Sequence, residues 1–132
     1  TFVPIREENI INHKMQAEYF QVSPINWNKI ALAKKQGQKV LAVGTTSTRV
    51  LETQVFERTI RKKVSGWSNC FIYPGWEFRN VSHLLTNFHL PKSTLFLLVS
   101  AFMGEKLAKT AYKEAISQKY RFFSYGDAML IL

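Results

Sequence analysis

A layered α/β sandwich is the fold class this sequence predicts, and three observations predict it. Segments of strand composition alternate with segments of helical periodicity along the chain. The 132 residues are 46% hydrophobic and include ten Phe, five Tyr and three Trp, enough for one dense core and outside the disordered and fibrous classes. The chain also opens and closes on apparent core segments, so some partner strands are expected to lie elsewhere. No repeat, low-complexity tract or Gly/Ser linker divides it, so residues 1–132 read as one unit without an internal boundary.

Punctuation residues mark the elements. Ser23 before Pro24 is a helix cap followed by proline at the first helical position, and Gly37 closes the segment. Pro24 to Gln36 is therefore expected as a helix that buries Trp27, Ile30, Ala31 and Ala33. Lys39 to Val43 reads as a short buried strand, broken by Gly44-Thr45-Thr46-Ser47. Thr48 to Lys63 then carries Val50, Leu51, Val55, Phe56 and Ile60 at helical spacing, with basic residues in its last turns where the helix dipole favours them. Phe71 to Tyr73 reads as a strand stopped by Pro74-Gly75, and Leu84 to Asn87 as a second. Thr94 to Met103 is apolar nearly all round; Pro91 and Ser93 before it and Gly104 after it favour a buried helix over a buried strand. Glu105 to Lys119 is amphipathic with Leu107, Ala111, Tyr112, Ala115 and Ile116 inward, and Ala128 to Leu132 reads as a terminal strand.

Eighteen Lys and Arg against nine Asp and Glu leave a net charge of +9, which favours an anionic partner, nucleic acid first. Between Lys29 and Lys63, nine basic residues face only Glu52 and Glu57, so +7 of that charge falls on one stretch, which includes Arg61, Lys62 and Lys63. Such a run either binds phosphates or is simply a solvated face. Cys70 is the lone cysteine, which excludes a disulfide framework or cysteine-based zinc site and fits a reducing cytoplasm. The longest apolar run, Leu95 to Met103 broken by Ser100, falls far short of the roughly 20 residues that span a bilayer. No signal segment opens the chain, so a cytoplasmic protein without a membrane partner is expected. Residue 1 is Thr and the first Met is Met15, so a processed chain or a piece of a longer protein is expected.

Four constellations carry groups with chemistry. Gly44 to Arg49 stands where a strand hands over to a helix, where free N–H groups and the helix dipole attract anions; Thr45, Thr46, Ser47 and Arg49 add donors. The same hydroxyls also serve as ordinary helix caps. Asn87 to Thr94 gathers an amide, the His89 imidazole and the Lys92 ammonium on a loop, alternatively a polar turn with a capping Ser93. His13 has Glu18 nearby; if the chain after Lys14 is extended, Gln16 and Glu18 share one face and Met15, Ala17 and Tyr19 the other. Tyr120 to Asp127 interleaves four aromatics with Arg121, either a platform for stacking a base or an adenine or a piece of core.

Four segments, His13-Lys14-Met15 with Glu18, Val43 to Glu52, Thr86 to Leu95 with Leu98 to Phe102, and Tyr120 to Leu132, together resemble the C-terminal part of the S-adenosylmethionine:tRNA ribosyltransferase-isomerases of queuosine biosynthesis. The resemblance covers essentially the whole chain; Val50 and Trp76 are small departures from the family pattern. It implies an α/β/α sandwich with a mixed sheet, incomplete here because upstream α/β elements and the family's β-barrel are absent from this chain. It implies transfer and isomerisation of the ribosyl part of S-adenosylmethionine, a co-substrate, onto the aminomethyl group of a 7-deazaguanine at the wobble position of tRNA. Adenine and methionine leave, and no metal is needed. The sulfonium acidifies the adjacent C5′ hydrogens, so a base is required, and departing adenine needs protonation or hydrogen bonding. The resemblance points to His89 and His13 for proton transfers, with Glu18 as an alternative base. Thr45, Thr46, Ser47 and Arg49 are expected at the methionine carboxylate or ribose hydroxyls, and Asp127 at a ribose hydroxyl or amine. Lys92 is expected at a tRNA phosphate or that carboxylate, Arg61, Lys62 and Lys63 at tRNA, and the enzyme as a monomer. The fragment alone is expected to be inactive. The competing reading is a non-catalytic RNA-binding α/β module that uses the Lys29 to Lys63 surface.

Overall fold

The structure is a computed structural model and describes residue 10 and residues 13–53 and 64–132. Among them lie five strands and four helices: β1 (Glu18–Val22), α1 (Pro24–Lys35), β2 (Leu41–Val43), α2 (Thr45–Thr53), β3 (Val64–Ser68), β4 (His83–Asn87), α3 (Thr94–Met103), α4 (Glu105–Ser117) and β5 (Ala128–Ile131). They form a mixed α/β fold with two small sheets. Strands β1 and β3 pair antiparallel, Tyr19 opposite Trp67. In the second sheet, of order β2-β4-β5, β2 runs parallel to β4 with Val43 opposite Leu85, and β5 runs antiparallel to β4 with Ala128 opposite Asn87.

Local chemistry sets most of the boundaries. The Ser23 hydroxyl accepts the Asn26 N–H at 3.2 Å and Pro24 opens α1, while the Ser93 hydroxyl accepts the Phe96 N–H at 3.2 Å to open α3. Gly104, at φ 85°, separates the apolar α3 from the amphipathic α4. Helix α2 starts three residues earlier than its periodicity suggests, because Gly44, at φ 89°, makes the turn and accepts the Thr48 N–H at 3.2 Å. Residues 54–63, the remainder of the expected helix, lie outside the described residues.

The core joins Leu98 and Val99 of α3 and Tyr112 and Ala115 of α4 to Ala42, Leu84 and Ile131, the inward positions of the three-stranded sheet. The alternate positions Leu41, Val43 and Leu130 stay about half exposed, so that sheet carries an apolar face left uncovered here. Three expectations change. The strand expected to be buried over Lys39 to Val43 spans Leu41–Val43 and buries only Ala42. Phe71 to Tyr73 forms no strand among the described residues; Ile72 is buried for packing, and burial leaves the same apolar signature as pairing. On α4 the buried stripe is Ala108, Tyr112 and Ala115, whereas Leu107 and Ile116 face outward. The β1–β3 pair was legible only as an extended segment after Lys14.

Candidate active site

The carboxyl ends of a parallel strand pair are where an open α/β sheet leaves room for a ligand, since the chain departs there in different directions. Gly44 leaves β2 to enter α2, and residues 88–93 leave β4 to enter α3. Because β5 is antiparallel, the loop before it, residues 120–127, reaches the same end of the sheet. The three segments enclose a cleft of about 430 Å³ lined by Gly44, Thr45, Thr46, Thr86, Asn87, His89, Leu90, Leu95, Phe123 and Ser124. Its size falls within the roughly 300–1,000 Å³ of small-molecule sites.

Aromatic packing beneath the cleft holds two of these loops. Phe88 stacks edge-on to Tyr112 at 5.4 Å and lies 5.5 Å from Phe122, and Tyr112 in turn meets Phe96 of α3 at 4.8 Å. Each such pair contributes about 0.5–1.5 kcal/mol beyond its area. The Tyr112 hydroxyl also accepts the His89 backbone N–H at 3.1 Å, and burial pushes its pKa up to about 12, so it stays neutral. The imidazole Nε2 of His89 lies 3.0 Å from the Thr86 hydroxyl, and burial lowers its pKa to about 4. At neutral pH it is uncharged, with one ring nitrogen that can accept a proton and one N–H that can donate a hydrogen bond.

The 120–127 loop is clamped from inside and from the sheet. Asp127 accepts the Arg121 backbone N–H at 2.7 Å and its guanidinium at 2.9 Å; those hydrogen bonds hold the carboxyl below the usual carboxylate range. The Asn87 amide donates to the Gly126 and Asp127 carbonyls at 3.4 and 3.2 Å. Gly126 sits so tightly that a Cβ there would lie 2.3 Å from the Arg121 carbonyl oxygen and 2.6 Å from that of Phe122. Gly126→Ala should therefore force the loop open and destabilise the protein by about 1–3 kcal/mol, read as a lower urea midpoint at constant m.

The family described as queuosine biosynthesis protein matches residues 1–131. The S-adenosylmethionine:tRNA ribosyltransferase-isomerase of Halothermothrix orenii is 56% identical over 132 residues, which are all of this chain and 39% of the relative. That of Clostridioides difficile is 50% identical over 131 residues, 99% of this chain and 38% of the relative. The crystal structure of S-adenosylmethionine tRNA ribosyltransferase from Thermotoga maritima superposes with a TM-score of 0.79 at 46% identity, over 86% of this chain and 40% of that one. The chain belongs to the queuosine biosynthesis protein family. It spans about 39% of the length of the curated relatives it matches.

Within this family member, the Asn87 amide and Phe123 of the aromatic run line the cleft, and three of the residues given a role by the resemblance meet there: Thr45 and Thr46 from the start of α2, and His89 from the loop after β4. The others lie elsewhere. Arg49, one turn further along α2, is buried away from the cleft, where it donates to the Glu18 carboxylate at 2.5 Å and to the Cys70 carbonyl at 2.9 Å. Glu18 and Arg49 thus tie β1 to α2 and are engaged with each other. His13 is buried with its ring 5.1 Å from Phe71 and does not line the cleft. Ser47 is exposed outside the cleft lining, and Asp127 serves the loop clamp. Lys92 is exposed, at φ 58° in the turn before α3, and Arg61, Lys62 and Lys63 lie outside the described residues. Sequence reasoning passed over Thr86 and Tyr112. The signal for Thr86 was its place as the penultimate residue of β4, a hydroxyl on the same buried face as Leu84.

Among the described residues no helix is long and apolar enough to cross a membrane.

Proposed function

We propose that this chain supplies part of the active site of an enzyme that transfers and isomerises the ribosyl moiety of S-adenosylmethionine onto the 7-aminomethyl-7-deazaguanine of tRNA, yielding epoxyqueuosine-tRNA, adenine and methionine. One observation carries the reading: the half-buried His89 imidazole shares a small-molecule cleft with the hydroxyl-rich start of α2. The names of the 56% and 50% identical relatives support the substrate pair.

In this reading the free N–H groups of the first turn of α2, with Thr45 and Thr46, hold the methionine carboxylate. His89, uncharged, takes the C5′ proton made acidic by the sulfonium, and Thr86 orients its ring through the 3.0 Å contact. Lys92 and the Arg61-Lys62-Lys63 run are assigned to tRNA phosphates on their charge alone. The enzyme works in the cytoplasm, where its tRNA substrate is. The uncovered face at Leu41, Val43 and Leu130 supports completion of an α/β/α sandwich by further elements of one α/β domain.

A full-length protein carrying this chain should release adenine and methionine in equal amounts from S-adenosylmethionine, only when tRNA with the aminomethyl-deazaguanine is present. Retained tRNA binding without adenine release would favour the RNA-binding module instead.

A further inference from the structure

Phe123 stands where fold stability alone would choose glycine. Its φ is 71°, in the left-handed region that a residue with a Cβ enters at a cost, and the residue remains 51% exposed, so little burial offsets that cost. The strain is held from both sides. The Phe123 N–H donates to the Phe88 carbonyl at 3.0 Å and its carbonyl accepts the Gly126 N–H at 2.9 Å. The adjacent Phe122 goes the other way, into the aromatic cluster with Phe88 and Tyr112. Of the four aromatics in the run from Tyr120 to Tyr125, only Phe123 lines the cleft; Tyr125 is almost fully exposed.

We infer that Phe123 is a stacking wall for the adenine of S-adenosylmethionine, an inference that rests on the function proposed above and adds the moiety and the residues that grip it. A half-exposed ring on a clamped loop offers an apolar face without a large ordering cost on binding. Beside it on the cleft wall, Asn87 spends its two amide hydrogens on the Gly126 and Asp127 carbonyls, which leaves Oδ1 as its remaining hydrogen-bonding group. An acceptor fixed in this way suits an exocyclic amine, which adenine presents at its edge. The same bonds tie the acceptor to the loop that carries the ring, so edge and face are read by one rigid unit.

Equilibrium titration of the full-length protein with adenosine, S-adenosylmethionine and tRNA tests this. Phe123→Ala should weaken adenosine and S-adenosylmethionine about ten- to hundredfold and leave tRNA affinity unchanged, while Phe123→Trp keeps both. Phe123→Gly should lose the same affinity without a fall in Tm, because glycine removes the strain; a merely structural phenylalanine would lose stability first. Wild-type adenosine affinity in the Ala and Gly variants overturns the inference. So does a loss confined to tRNA, which would make the stacked ring the tRNA base. If turnover occurs while these variants bind normally, only the stacking fails. If adenosine binding depends on Phe123 but no adenine is released, only the proposed reaction fails.

Discussion

His89→Ala is expected to lower the rate of adenine and methionine release by about 10²–10⁴-fold, the usual contribution of a positioned general base. Substrate affinity should change far less, because nine of the ten residues that line the cleft are untouched. His89→Gln separates proton transfer from positioning. Glutamine can keep a hydrogen bond to Thr86, 3.0 Å from the imidazole, but cannot take up a proton, so it should be as slow as alanine. Recovery of the rate by glutamine would make His89 a positioning residue, and a normal rate in both variants would remove it from the mechanism. Since burial holds the imidazole at about 4, its ionisation should leave no limb near pH 6.5 in the rate profile. Stability gives an independent reading. The unfolded chain takes up this proton near pH 6.5 and the folded chain only near 4, so the contribution is complete above about 6.5 and is lost as pH falls toward 4. Acid titration of the denaturation midpoint should therefore be shallower in His89→Gln than in the parent.

The parts of the site that follow from local chemistry were legible in the sequence. Ser93 caps α3, Gly44 turns β2 into α2, and the run from Asn87 to Thr94 contains the loop that carries His89. What joins them is the parallel pairing of Leu41–Val43 with His83–Leu85, a contact between segments about forty residues apart that no local pattern encodes. The β1–β3 pair was hidden for the same reason, and because Val64–Ser68 holds two serines and a glycine, a poor strand composition. Arg49 shows how a boundary shift changes a role. With a helix beginning at Thr48 it would stand in the first turn, beside any bound anion. With the helix beginning at Thr45 it is one turn, about 5.4 Å, further from the cleft and reaches Glu18 instead. Glu52 was read only as part of a motif and as one of two acids in a basic stretch, yet its carboxylate accepts the backbone N–H groups of Arg79, Asn80 and Val81 at 2.9–3.0 Å, fixing the loop that leads into β4.

The Glu18–Arg49 pair should behave asymmetrically on mutation. The Arg49 side chain is 4% exposed and that of Glu18 36%, so the two charges do not lose the same hydration on folding. Glu18→Ala leaves a buried guanidinium whose remaining acceptor among the described residues is the Cys70 carbonyl, with Nη2 without one. That should cost about 3 kcal/mol, the low end for breaking a buried pair because Glu18 is partly screened by water. Arg49→Met keeps most of the buried stem and leaves a carboxylate that water can reach, so a smaller loss of about 1–2 kcal/mol is expected. Glu18→Gln, which retains an acceptor for the guanidinium, should fall below Glu18→Ala. Urea denaturation of the three variants checks the order. Loss of turnover in Glu18→Ala at unchanged stability would instead return Glu18 to the role of catalytic base. A stability loss with turnover retained in the fraction still folded fixes the pair as the bolt between β1 and α2, and with it the position from which Thr45 and Thr46 face the cleft.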